Sequence, residues 1–131
     1  MENSAQEDAA RWFQAAGYDL ETAEAMLDAG RYLYVLFCCQ QAIEKHLKGM
    51  VVLATGNMPP KTHDLLRLAE QAGVAHSEGH RRLLADLSNY YVETRYPEQV
   101  NRLAAELTRS LAEQCLTEAK EYLAWLDRQR R

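Results

Sequence analysis

Apolar residues recur every three or four positions through most of the chain, the pattern of helices that each turn one stripe toward a core. Ala9, Trp12, Phe13, Ala16, Leu20, Ala23 and Leu27 form the first stripe and predict a helix over about residues 6–29. Gly30 can adopt the positive φ of a helix C-terminus, and the chain restarts at Arg31. A turn that short forces the next helix to fold back antiparallel. This second helix, Arg31 to about Thr55, carries Leu36, Cys39, Ile43, Leu47, Met50 and Ala54 along one side. As the most apolar of the set it is expected to lie centrally. Gly56-Asn57-Met58-Pro59-Pro60 stops it, because two prolines and a glycine favour an extended connection.

Thr62 is the expected N-cap of a short helix that Gly73 closes, and Ser77 caps a fourth helix reaching about Tyr91, with Leu83, Leu84, Leu87 and Tyr91 inward. Pro97 and the residue before it disfavour α geometry, so Arg95-Tyr96-Pro97 is an extended connection. One long final helix follows it, with Ala104, Leu107, Leu111, Cys115, Ala119, Tyr122 and Leu126 as its stripe, Trp125 beside them, and Arg128, Arg130 and Arg131 at the dipole's negative end. No alternating strand pattern and no repeat interrupts this series. The expectation is a single all-α domain over residues 1–131, an antiparallel up-and-down bundle of four to five helices.

A chain of 131 residues, 47% hydrophobic and 26% charged, is long and apolar enough for one substantial core and unlike a disordered segment. Its net charge of −4 speaks against broad, sequence-independent binding to nucleic acid, although a local basic cleft stays open. Cys38, Cys39 and Cys115 lie in apolar stretches without metal-ligand spacing and are read as reduced core residues. The acidic N-terminus lacks a secretory layout and no apolar run approaches the roughly 20 residues of a membrane span. The expected location is the cytoplasm, away from membranes. Phosphate-loop, nucleophile-elbow, zincin and dinucleotide fingerprints are missing, so the enzyme classes they announce gain no support.

Three groups of residues carry candidate chemistry. Gln41, Glu44, Lys45 and Lys48 fall at i, i+3, i+4 and i+7, one polar face opposite the core stripe. That face is either a solvated surface with a Glu44–Lys48 pair or part of a binding site. Arg95 and Tyr96 sit on the irregular stretch before Pro97, where a guanidinium fork suits phosphate, or pairs with a carboxylate while the tyrosine packs at the bundle end. His63 and Asp64 adjoin a helix N-terminus, where the imidazole either bonds to backbone or serves in acid–base chemistry. His46, His76 and His80 stand apart, and no metal site is expected.

Trp12, Asp19-Leu20, Ala23, Gly30-Arg31-Tyr32, Phe37, Gln40-Gln41-Ala42, Glu44-Lys45, Leu47-Lys48, Thr62-His63-Asp64-Leu65 and Arg95-Tyr96-Pro97 together resemble the HEPN family over roughly residues 8–126. The resemblance implies a dimeric helical bundle, with the polar positions of the second helix and the Arg-Tyr-Pro region near a shared cleft. It also implies kinship with metal-independent ribonucleases, whose dimers join an Arg to a His separated from it by four to six residues, and with partners of minimal nucleotidyltransferases in toxin–antitoxin pairs. In this chain Val100, Asn101 and Arg102 occupy the region where that His falls, so the nuclease spacing is not met.

The expectation is therefore a noncatalytic, cofactor-free HEPN homodimer that binds a nucleotide or RNA phosphate and partners a minimal nucleotidyltransferase. Arg95, Lys45 and Lys48 hold the phosphate, Tyr96 stacks on a base or walls the cleft, and Gln41, Glu44 and His63 complete the candidate set. One alternative is a divergent metal-independent ribonuclease in which paired Arg95 side chains act with His63 or Tyr96. The other is a structural dimeric interaction module.

Overall fold

A computed structural model describes residues 2–93 and 96–130. Six helices follow in order: α1 (Glu2–Asp28), α2 (Tyr32–Thr55), α3 (Leu65–Ala72), α4 (Glu78–Glu93), α5 (Pro97–Glu106) and α6 (Arg109–Gln129), with no strand among the described residues. The all-α bundle is as the periodicity predicts.

α1 and α2 form a hairpin closed by a Schellman turn. Gly30 has φ 75°, its N–H reaches Leu27 O (3.1 Å) and the Arg31 N–H reaches Met26 O (2.8 Å), which satisfies two carbonyls left over at the end of α1. The inner row of α1 is small: Ala9, Ala16 and Ala23 are fully buried, which lets the two backbones approach closely. α2 packs against all five other helices, so its central placement follows from its apolar sequence. Ile43 and Leu47 of α2, Leu65 and Leu68 of α3, Leu84 and Leu87 of α4, and Tyr122 and Leu126 of α6 are buried together. Each such side chain contributes about 1.5–3 kcal/mol relative to an exposed one. Ala54, expected in the stripe of α2, is exposed in its last turn.

The structure departs from the sequence pattern at two ends. The N-cap of α3 is Asp64 rather than Thr62: the Asp64 carboxylate accepts from the N–H groups of Leu66 and Arg67, while Thr62 Oγ1 accepts from Asp64 N–H and shapes the approach. The single long helix expected at the end of the chain is two. α5 stops at an extended Leu107, and Thr108 caps α6 by accepting from Leu111 N–H at 3.2 Å. The apolar spacing from Leu103 through Leu107 to Leu111 continues across this break, so periodicity alone carries no sign of it.

Candidate functional site

Steps of four residues advance only about 40° around a helix, so Gln40, Glu44 and Lys48 form one slowly turning row on α2. The row faces inward: Gln40 is 0% exposed, Glu44 4% and Lys48 8%. The reading of Glu44 and Lys48 as a polar face opposite the core is thereby corrected. Charges at this depth persist only when paired and hydrogen-bonded, and here they are. Glu44 Oε1 accepts from Gln40 Nε2 (3.0 Å) and faces His63 Nδ1 (2.8 Å), while Glu44 Oε2 accepts from Lys48 Nζ (3.1 Å). The Lys48 ammonium also lies 5.5 Å from the centre of the Trp12 ring, a cation–π contact from α1.

His63 is held from three sides. Its neighbours are fixed by the Asp64 cap and by Leu65 N–H, which donates to Ser88 Oγ of α4 at 3.1 Å. Its ring stacks on Tyr91 of α4, with centroids 4.2 Å apart and planes at 24°. Because Nδ1 faces the Glu44 carboxylate, Nδ1 carries the proton, and Nε2 has no protein partner among the described residues. The side chain is 50% exposed. The result is an imidazole anchored at its inner nitrogen and open at its outer edge.

The other candidates fall around this pair. Gln41 is half-buried and donates to Gln40 Oε1 at 2.7 Å, extending the polar chain. Lys45 turns to α1 and pairs with Asp19 at 2.6 Å, so neither lysine presents an unpaired ammonium. Tyr96 is 59% exposed at the N-cap of α5. Arg95 lies outside the described residues. Gln40, Tyr91 and Trp12 are members that sequence reasoning did not single out for the site; the i, i+4, i+8 spacing of Gln40, Glu44 and Lys48 is the signal that identifies the first.

The remaining histidines serve elsewhere. His76 Nδ1 donates to Val74 O (2.9 Å) and its Nε2 accepts from the Tyr122 hydroxyl (2.7 Å). His80 Nδ1 accepts from Ser77 N–H while Ser77 Oγ accepts from His80 N–H, a reciprocal cap of α4 with histidine in the usual Glu position. Burial pulls the pKa of both imidazoles down, and the carbonyl of Val74 partly offsets this for His76. The thiols of Cys38 and Cys39 are held protonated, Cys38 chiefly by burial and Cys39 chiefly by its hydrogen bond with Cys115. Among the described residues no group of three His, Cys, Asp or Glu is placed to hold a metal ion, and no helix is long and apolar enough to cross a membrane.

Comparison with known proteins adds two findings. The model of the HEPN domain matches residues 9–129. The crystal structure of TT1696 from Thermus thermophilus is similar to this chain at 28% identity, over 93% of this chain and 98% of that one, with a TM-score of 0.79. No curated protein matches.

Proposed function

The chain belongs to the HEPN domain family, and from that premise we propose that it binds the phosphate of a nucleotide or RNA at the open edge of His63 without cleaving it. The observation that carries this reading is the Glu44–His63 pair, a half-exposed imidazole whose inner nitrogen is fixed 2.8 Å from a buried carboxylate. When protonated, such a ring offers Nε2–H to a phosphate oxygen while Nδ1–H stays on Glu44. Arg95 and Tyr96, which precede Pro97 in the sequence, supply the guanidinium fork and a ring. Lys45 and Lys48 act indirectly, holding Asp19 and Glu44 in place. Asn101, standing in the region of the family's catalytic His, accepts and donates hydrogen bonds but shuttles no proton near neutral pH.

In this reading the protein is a homodimer and the companion of a minimal nucleotidyltransferase of the toxin–antitoxin type, whose phosphate chemistry it assists or restrains. Titration with ATP, GTP and a short RNA, followed through the ring resonances of His63, tests the binding. A saturable shift at millimolar ligand that is lost in Arg95→Ala is the expected result, and no shift with any of the three overturns it.

The same pair favours a second reading, a divergent metal-independent ribonuclease. A histidine with its tautomer set by a carboxylate is the arrangement of a general base. RNA cleavage in excess EDTA that disappears in both His63→Gln and Arg95→Ala supports it. Cleavage by Arg95→Ala as fast as by the parent removes it.

A further inference from the structure

Beside Trp12, an open cleft of about 480 Å³ lies between the N-terminal half of α1 and the end of α2. That volume is in the range of small-molecule sites. Its walls are Trp12 of α1, Val52 of α2, and Met58 and Pro59 of the following loop. Met58 is 82% exposed, a large apolar side chain with little protein around it. Asp8, Arg11, Gly56 and Asn57 complete the lining. Asn57 has its backbone N–H on Thr55 Oγ1 (3.1 Å), and its side-chain amide has no partner among the described residues. Arg11 is paired with Asp8.

We propose that this cleft is a nucleobase subsite, in which a base lies flat between Trp12 and the Met58-Pro59 edge and is read through Asn57. A sugar needs many hydrogen-bonding groups, and these walls offer few. An acyl chain needs an enclosed channel, and this cleft is open. A flat ring with apolar faces and a donor–acceptor edge matches both the apolar lining and the amide of Asn57. Base stacking on an aromatic side chain is tolerant of base identity, so little discrimination among bases is expected. Trp12 joins this cleft to the candidate site, because its ring also covers Lys48, the partner of Glu44, which holds His63.

This inference deepens the phosphate reading and rests on it for the class of ligand, and two probes separate them. The chain has two tryptophans, Trp12 and Trp125, so a Trp125→Phe protein reports on Trp12 alone. Adenosine, which lacks phosphate, is expected to quench that emission saturably at millimolar concentration. Met58→Asp, at an exposed position that leaves the fold intact, is expected to weaken adenosine binding at least tenfold, as is Trp12→Leu measured by equilibrium dialysis. No saturable quenching, or binding unchanged by Met58→Asp, overturns the base subsite. Inorganic phosphate shifting the His63 ring while adenosine fails to bind overturns this inference and leaves the phosphate reading standing. Adenosine binding without a phosphate response does the reverse.

Discussion

Acid is expected to destabilise this protein through His46 well before its carboxylates protonate. The ring is 6% exposed and tilted against Phe13, with centroids 4.7 Å apart. Its Nε2 lies 3.4 Å from Asp127 Oδ1, but out of line, and has no hydrogen-bond partner among the described residues. Burial is the main reason its pKa falls from 6.5 to about 4; Asp127 opposes the shift and Arg130 adds to it. In the unfolded chain the ring takes up a proton near pH 6.5, whereas in the folded protein it stays neutral until about pH 4. Between those values the unfolded state binds more protons, so stability is full above the upper one and declines as pH falls toward the lower. The contribution lost is about 2 kcal/mol by pH 5 and about 3 kcal/mol in total. Urea unfolding of the parent and of His46→Gln at pH 7.5 and pH 5 measures it. The parent's midpoint should drop by about 1 M more than the variant's, given an ordinary dependence on urea. Equal drops in the two proteins would refute the reasoning, since His76 and His80 titrate in both.

Glu44→Ala removes the carboxylate from a buried lysine and is expected to cost about 3–5 kcal/mol in urea unfolding; a loss below about 1 kcal/mol would mean that Lys48 finds water or another partner. Gly49→Ala should destabilise by about 1–2 kcal/mol despite the better helix propensity of alanine. The new Cβ would sit 2.7 Å from Phe13 Cε1, and that ring is hemmed in by His46 and by the Arg130 guanidinium 4.0 Å from its centroid. A gain in midpoint would show that the α1–α2 seam has room to spare. Thr108→Ala should lose about 1 kcal/mol through the cap of α6, and an unchanged midpoint would mean that the end of α5 is set by packing alone.

Much of the fold was legible because helix stripes and turn glycines are local signals. Gly30 with Arg31, and Gly73, end their helices in the structure as their chemistry requires. The break at Leu107–Thr108 was hidden because a threonine caps one helix or sits inside another equally well until the packing on either side is known. The candidate site was half legible. Glu44 and Lys48 stood out by spacing, but whether their row faces water or protein depends on where the α2–α3 connection lies, and that is a tertiary fact. The contact of His63 with Glu44 spans 19 residues and the stacking of His63 on Tyr91 joins separate elements, so no local pattern reports either. The row from Gln40 was the nearest available clue, since i+4 steps hold a side chain on one line where i+3 steps drift.

The central position of α2 also governs how its gene can change. Between Ala42 and Val52 only Lys45 escapes burial, so this stretch has no outward face on which substitutions accumulate harmlessly. Insertion of a single residue within it would rotate everything downstream by about 100°, turning core side chains outward and breaking the line from Gln40 to Lys48. Lengthening and shortening are therefore confined to the connections, where the chain can absorb an extra residue without turning a helix.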